Sequence, residues 1–145
     1  MKTSLFNDTI ENIRAAADII RDGGLVAFPT ETVYGLGADA LNSEAARKVY
    51  AAKGRPSDNP MIVHIADTSE LAKLTDDISS DMRALMDAFW PGPMTMIVRR
   101  KDIVPDVTTG GLDTVGVRLP SSEVARALIR ESGCPIAAPS ANISG

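Results

Sequence analysis

The sequence predicts a mixed α/β fold in a single domain. Apolar segments of strand length alternate with amphipathic segments of helical length along the chain, and turns rich in Gly, Pro and Thr separate them. The 145 residues have the length of one domain, and a chain of this size can bury about two thirds of the surface that it exposes when unfolded. We therefore expect residues 1–145 to form one domain without internal repeats.

Helical periodicity predicts where the helices lie. The first helix begins at Asp8 or Thr9, turns its apolar residues to one face and ends at Gly23. A helix at 79–90 is expected to bury one face before Pro91 ends it. The side chains expected on that face are Met82, Leu85, Met86 and Phe89. The other predicted helices span 44–52, after Ser43 as the N-cap, 69–74 and 121–131.

Short apolar segments bounded by turn residues predict the strands, which span 25–28, 61–65, 94–98, 115–119 and 135–138. The residues at 108–111 predict a turn. The segment 35–40 contains the pattern G-x-G-x-x-A, which a dinucleotide-binding loop can show, but six residues separate it from the preceding strand. We interpret it instead as a glycine-rich loop that needs positive φ or close packing.

Composition and charge narrow the classes of function. One Cys and one His exclude an intrachain disulfide and a Cys/His zinc cluster, and Cys134 is expected to be structural. A formal charge of -4 disfavours non-specific nucleic-acid binding. The chain carries no phosphate-binding loop of the Walker type. Early polar residues interrupt any signal peptide, and we expect a cytoplasmic protein without membrane segments.

Four polar turns adjoin the predicted strands, at 29–37, 53–60, 114–120 and 138–145. Polar turns at the ends of buried strands commonly position groups for a ligand. Lys53 and Arg55 lie one residue apart on a loop that Pro56 and Pro60 stiffen, which favours binding of a polyphosphate. The alternative is a surface loop with two solvated charges.

Two charged or titratable residues interrupt predicted strands. Arg118 lies in an otherwise apolar strand, so it must pair with another group or bind an anion, and its planar fork suits a carboxylate. His64 alternates with apolar residues, and the pattern fits a core side chain as well as a functional one. Ser140 and Asn142 are typical of a tight turn.

These segments together resemble one family, the YrdC-like L-threonylcarbamoyladenylate synthases. The resemblance extends from about residue 21 to the end of the chain. The segments that carry it are PTETVYGLG at 29–37, KGRPSDNP at 53–60 followed by MIVHI, FWPGPMT at 89–95, TVGVRLP at 114–120 and APSANISG at 138–145. The resemblance implies a twisted, open mixed sheet with flanking helices around a deep basic cavity.

The resemblance also implies the reaction, in which L-threonine, bicarbonate and ATP form threonylcarbamoyl-AMP and pyrophosphate, with Mg²⁺ bound through the ATP phosphates. The product serves the modification of tRNA adenosine beside the anticodon through a threonylcarbamoyl transferase complex. Residues at ATP-binding positions of the family are Lys53, Arg55, Asn59, Thr114 and Asn142. Residues at threonine-binding positions are Thr30, Thr32, His64, Arg118 and Ser140. No side chain acts as a nucleophile; Lys53 and Arg55 supply electrostatic stabilisation.

Members of the family continue beyond the SANISG segment, so we expect this chain to lack the C-terminal part of its domain. Two other functions are compatible with the same segments. One is a module that binds double-stranded RNA or tRNA, against which the overall charge argues. The other is the related domain of a hydrogenase-maturation carbamoyltransferase, which handles a carbamoyl-adenylate.

Overall fold

The computed structural model describes residues 9–29, 34–54 and 60–139. In these ranges six strands form one sheet between two layers of helices. The strands are β1 (Val26–Pro29), β2 (Tyr34–Asp39), β3 (Ile62–His64), β4 (Met96–Arg99), β5 (Thr114–Arg118) and β6 (Ile136–Ala138). The helices are α1 (Ile10–Arg21), α2 (Ser43–Lys53), α3 (Ser80–Phe89), α4 (Asp106–Thr109) and α5 (Glu123–Ser132), with a 3₁₀ helix at Thr68–Lys73.

Side-chain caps fix where the helices begin. The Thr9 hydroxyl accepts a hydrogen bond from the amide of Asn12, as expected for a helix that starts after Thr9. The α2 helix starts one residue earlier than predicted, because Asn42 is the cap: its side-chain oxygen accepts from the amides of Glu44 and Ala45 at 3.0 and 3.1 Å. Ser43 is therefore the first helical residue and not the cap.

The sheet is mixed, as the resemblance implied. The strand order is β1-β2-β6-β3-β5-β4. β3 and β5 pair in parallel, whereas the other described pairings are antiparallel. β1 and β4 form the two edges. β6 and β3 occupy the centre of the sheet, and β6 places the end of the described chain there.

Each face of the sheet has its own core. The first face is apolar and packs beneath α2, α3, α4 and the 3₁₀ helix; its buried strand residues include Ala38, Val63, Val98, Val115 and Val117. The second face packs beneath α1 and α5 through Phe28, Ile136 and Ala138. Both layers are needed because a central strand exposes side chains alternately to the two faces.

The glycine-rich segment is a strand, which corrects the prediction of a loop. β2 pairs with β1 from Val26↔Gly37 to Pro29↔Tyr34. Close packing explains the glycine at position 37, because a β-carbon there would lie 2.6 Å from the Phe28 ring and 2.5 Å from Ile136. The glycines made the segment resemble a loop. In the structure, the missing side chain at Gly37 allows β2 to pack against Phe28.

Two further predictions were wrong in detail. Leu85 and Phe89 are 45% and 56% exposed, whereas Met86 is buried and Met82 is partly buried against the first core. The apolar stripe of α3 that packs is therefore narrower than the sequence pattern suggested. The predicted turn at 108–111 begins within the short helix α4, which ends at Gly110 in the left-handed conformation.

No helix within the described ranges has both the length and the apolar character that a membrane span requires.

Candidate functional site

Among the described residues, no helix packs on one part of the second face. The core beneath α1 and α5 contains residues of β1 and β6 but, among the described residues, none of β4 or β5. Ile97 on β4 is 59% exposed, and Gly116 on β5 is half-buried. We call this region the open sheet face. It consists of Ile62, Thr95, Ile97, Arg99, Thr114, Gly116 and Arg118, positions that the strand register places on the same side of the sheet.

Arg118 is a charged residue at the border of the open sheet face, beside His64. It ends β5 and is half-buried. Its Nε and Nη2 both donate to the Thr95 hydroxyl oxygen, at 3.3 and 3.0 Å. Its backbone oxygen accepts from the Ile65 amide at 2.9 Å. The sequence predicted that this arginine must pair with another group or bind an anion, and the Thr95 hydroxyl is one group that it contacts.

His64 lies next to Arg118, at the border of the helix-covered region. The two residues pair in the parallel ladder of β3 and β5. The His64 side chain is buried, its Nδ1 lies 3.2 Å from the Ile136 carbonyl oxygen, and its ring meets Phe28 edge-on with centroids 5.5 Å apart. A carbonyl oxygen can only accept, so this contact is a hydrogen bond in the tautomer that carries its proton on Nδ1, and in that tautomer Nε2 is the acceptor nitrogen.

The burial of His64 agrees with a core role, and its position beside Arg118 agrees with a role in a site. The structure therefore agrees in part with both predicted roles of His64, as a core side chain and as a functional one.

Two other predicted residues lie at element ends. Lys53 is the last residue of α2, is exposed, and precedes Gly54 in the left-handed conformation. Thr114 begins β5, is half-buried and pairs with Arg99. Because β3 and β5 run in parallel, Thr114 lies at the end of the sheet where β3 begins. The structure thus brings Thr114, Arg118 and His64 to one face, while Lys53 lies at the end of a helix.

The remaining predicted site residues lie outside the described residues. They are Thr30, Thr32, Arg55, Asn59, Ser140 and Asn142. The described neighbours of these segments meet at one end of the sheet: Ala138 pairs with Ile62, and a β-carbon on Gly35 would lie 3.4 Å from that of Ala138. Thr114 starts β5 at this same end. The deep basic cavity, which would involve these segments, stays a prediction.

Thr95 was not predicted as a site residue. It lies 23 residues from Arg118 in sequence, and nothing in its local pattern indicates the contact. The available signal was its place at the end of the FWPGPMT segment, one of the segments that carry the resemblance but to which no role was attached.

The thiol of Cys134 has low reactivity, which agrees with the structural role expected for it. Burial, and then the neighbouring Asp39 carboxylate, raise the pKa of its thiol to about 12. The thiolate is therefore scarce at neutral pH, which disfavours nucleophilic chemistry. In the described part of the chain, no group of three or more His, Cys, Asp or Glu residues is arranged to hold a metal ion.

Comparisons with known proteins identify the family and the fold. The model of the Sua5/YciO/YrdC family, described as telomere recombination, matches residues 18–145. Threonylcarbamoyl-AMP synthases from Pyrococcus abyssi and Bacillus subtilis are 56% and 57% identical over 133 and 134 residues, which is 92% of this chain in each case. This chain spans 39% of the length of either relative.

A solved structure is similar over the same region. The crystal structure of P. abyssi Sua5 complexed with L-threonine superposes with a TM-score of 0.90 at 55% identity, and the match covers 94% of this chain and 40% of that one. The mixed sheet and its flanking helices therefore match the corresponding part of that protein. The matched family model, the sequence identity and the shared fold together show that this chain belongs to the Sua5/YciO/YrdC family.

Proposed function

We propose that this chain forms threonylcarbamoyl-AMP from L-threonine, bicarbonate and ATP, with release of pyrophosphate. The observation that carries the proposal is the Arg118 guanidinium, held on the open sheet face beside His64. The names of the two relatives, and the threonine complex of P. abyssi Sua5, support the choice of substrate.

Threonine binding follows from the geometry of Arg118. Thr95 contacts the edge of the guanidinium formed by Nε and Nη2, and the adjacent end of the group is formed by Nη1 and Nη2. That end matches the two oxygens of an amino-acid carboxylate. We assign the threonine carboxylate to it and the threonine ammonium or hydroxyl to the His64 Nε2 side. Thr30, Thr32 and Ser140 complete the proposed threonine site.

ATP binding is assigned to the opposite part of the site. Lys53 and Arg55 would hold the phosphates, with Mg²⁺ entering as part of the nucleotide substrate. Asn59, Thr114 and Asn142 would contact the nucleotide. Thr114 and Arg118 are the first and last residues of β5, and their side chains project from the same side of the sheet. A nucleotide bound at the start of β5 and threonine bound at its end would therefore share the open sheet face.

The chemistry needs no side-chain nucleophile. The uncharged threonine amine attacks the carbon of bicarbonate, and loss of water leaves a carbamate. A carbamate oxygen then attacks the α-phosphorus, the bond from that phosphorus to the bridging oxygen breaks, and pyrophosphate leaves with the electron pair. Catalysis of such a step depends mainly on positioning and on stabilising charge at the phosphates, which is the role proposed for Lys53 and Arg55.

The product is a mixed anhydride, which is activated for transfer of its threonylcarbamoyl group to a nucleophile. We propose that a transferase complex passes the threonylcarbamoyl group to tRNA adenosine beside the anticodon, in the cytoplasm. Direct RNA binding by this chain would be weak because its formal charge is -4.

Mass spectrometry tests the proposal. The chain is incubated with ATP, Mg²⁺ and bicarbonate, with and without L-threonine, and the P. abyssi synthase serves as the positive control. We expect threonylcarbamoyl-AMP and pyrophosphate only when threonine is present. Absence of product from this chain while the control is active would contradict the proposal. Binding of tRNA that is steep in salt and independent of ATP would favour an RNA-binding module instead.

A further inference from the structure

We infer that Thr95 is a positioning residue for threonine recognition: its hydroxyl fixes the orientation of the Arg118 guanidinium and, with it, the direction of the carboxylate-binding fork. The inference rests on the proposed function for the identity of the ligand. The contact itself is independent of that assignment, since one hydroxyl oxygen accepts from both Nε and Nη2 of Arg118.

Both substituents of the Thr95 β-carbon have a neighbour. The hydroxyl meets Arg118, and the methyl lies over Gly116, where a β-carbon would be only 3.1 Å away. Glycine at position 116 therefore leaves room for the Thr95 methyl group. A threonine packed in this way has its side-chain rotation fixed, and the hydroxyl stays directed at the guanidinium.

The backbone before Thr95 is held in place as well. The Trp90 indole N–H donates to the Met94 oxygen at 2.8 Å, and the Gly92 amide donates to the Leu119 oxygen at 2.8 Å. These bonds tie the segment before β4 to the residue that follows Arg118. Thr95 and Arg118 are thus positioned by the same turn, next to the pair Met96↔Val117.

A neutral partner suits this role. A carboxylate at position 95 would orient the guanidinium but would also neutralise its charge, and a ligand carboxylate would gain less from binding there. A hydroxyl supplies the acceptor without the negative charge. Thr95 therefore orients Arg118 without itself neutralising the positive charge that attracts an anion.

The test compares Thr95→Val, which removes the acceptor but keeps the shape, with Thr95→Ser, which keeps the acceptor. Thr68→Val, an exposed threonine on the 3₁₀ helix, is the control for loss of a hydroxyl elsewhere. Calorimetry measures the affinity for L-threonine and for ATP. We expect Thr95→Val to weaken threonine binding roughly tenfold, with ATP affinity unchanged and with Thr95→Ser close to the parent.

A second measurement separates this inference from the proposed function. Nitrogen-15 relaxation of the Arg118 Nε–H reports the order of the guanidinium without any ligand, and we expect that order to fall in Thr95→Val and to be kept in Thr95→Ser. If the parent does not bind threonine, the proposed function fails, but the relaxation data still decide whether Thr95 orients Arg118. An equally ordered Arg118 in Thr95→Val would overturn the inference, even if threonine binding were weaker.

Discussion

Arg118 and His64 occupy paired positions on the parallel strands β5 and β3, and their side chains project from the same face of the sheet. The Arg118 carbonyl accepts from the Ile65 amide at 2.9 Å, which fixes the two strands to each other at this point. The pair lies where the helix-covered region ends and the open sheet face begins. A cationic fork and an imidazole are thereby placed side by side on a rigid support.

Replacing Arg118 by lysine should weaken threonine binding more than it weakens folding. Lysine keeps the charge but cannot offer two parallel N–H groups to a carboxylate. We expect a loss of threonine affinity of about tenfold or more, measured by calorimetry. The control is Arg83→Lys on the exposed surface of α3, which should leave the affinity unchanged. Equal affinity of Arg118→Lys and the parent would exclude the fork from carboxylate binding.

The tautomer of His64 can be observed directly, because the chain contains a single histidine. The hydrogen bond to Ile136 predicts that the neutral ring carries its proton on Nδ1. A long-range proton–nitrogen correlation spectrum should therefore show a protonated Nδ1 and an Nε2 with a lone pair. The opposite pattern would mean that Nδ1 does not donate to Ile136, and the role assigned to Nε2 would be wrong.

Gly37 and Gly35 lie on the same side of β2, and substitution of Gly35 is a matched control for substitution of Gly37. A methyl group at position 37 would meet Phe28 and Ile136 at 2.6 and 2.5 Å, whereas one at position 35 would have ordinary contacts at 3.4 Å or more. We expect Gly37→Ala to lower the free energy of unfolding by about 1–3 kcal/mol, as measured by urea denaturation. Gly35→Ala should cost clearly less. Equal stability of the two variants would contradict the close packing of β2 on Phe28.

Cys134 should react slowly with alkylating reagents. Burial and the Asp39 carboxylate raise its pKa from 9.0 to about 12, so at pH 8 the folded protein holds about a thousandfold less thiolate than the unfolded chain. Iodoacetamide labelling at pH 8 should be correspondingly slower in buffer than in urea. Similar rates in both conditions would show that the thiol is accessible and its pKa ordinary.

The raised pKa of Cys134 also makes the free energy of unfolding depend on pH. The folded-state pKa lies above the unfolded value, so above about pH 9 the unfolded chain releases a proton that the folded chain retains. The contribution of the Cys134 thiol to the free energy of unfolding is therefore fully present below pH 9 and is lost as the pH rises towards 12. The fall in the free energy of unfolding between pH 9 and pH 11 should be smaller in Cys134→Ala than in the parent.

The sequence was sufficient for the helices and strands with clear periodicity and caps, but it missed features that depend on contacts between distant residues. β2 resembled a loop because glycine is rare in strands, although Phe28 requires a glycine at position 37. Phe89 fits an apolar helical stripe, yet only the side of α3 that includes Met86 reaches the core. In each case the neighbouring element determined the outcome.

In the candidate site too, local sequence patterns predicted some features, and contacts between distant residues determined the others. That Arg118 needs a polar partner could be inferred from its strand, because an isolated buried charge is costly. The identity of that partner could not, since Thr95 comes opposite Arg118 only when β4 pairs with β5. The composition and spacing of a segment do not reveal which strand will lie next to it.

The most direct test of the account is a map of where L-threonine binds. Proton–nitrogen correlation spectra of the labelled chain are recorded as L-threonine is added, with Arg118→Lys as the comparison. We predict that the largest shift changes occur at the open sheet face and at His64, and that they are much reduced in the variant. Changes centred on the outer surface of α3, or no changes at millimolar threonine, would contradict a threonine site at Arg118.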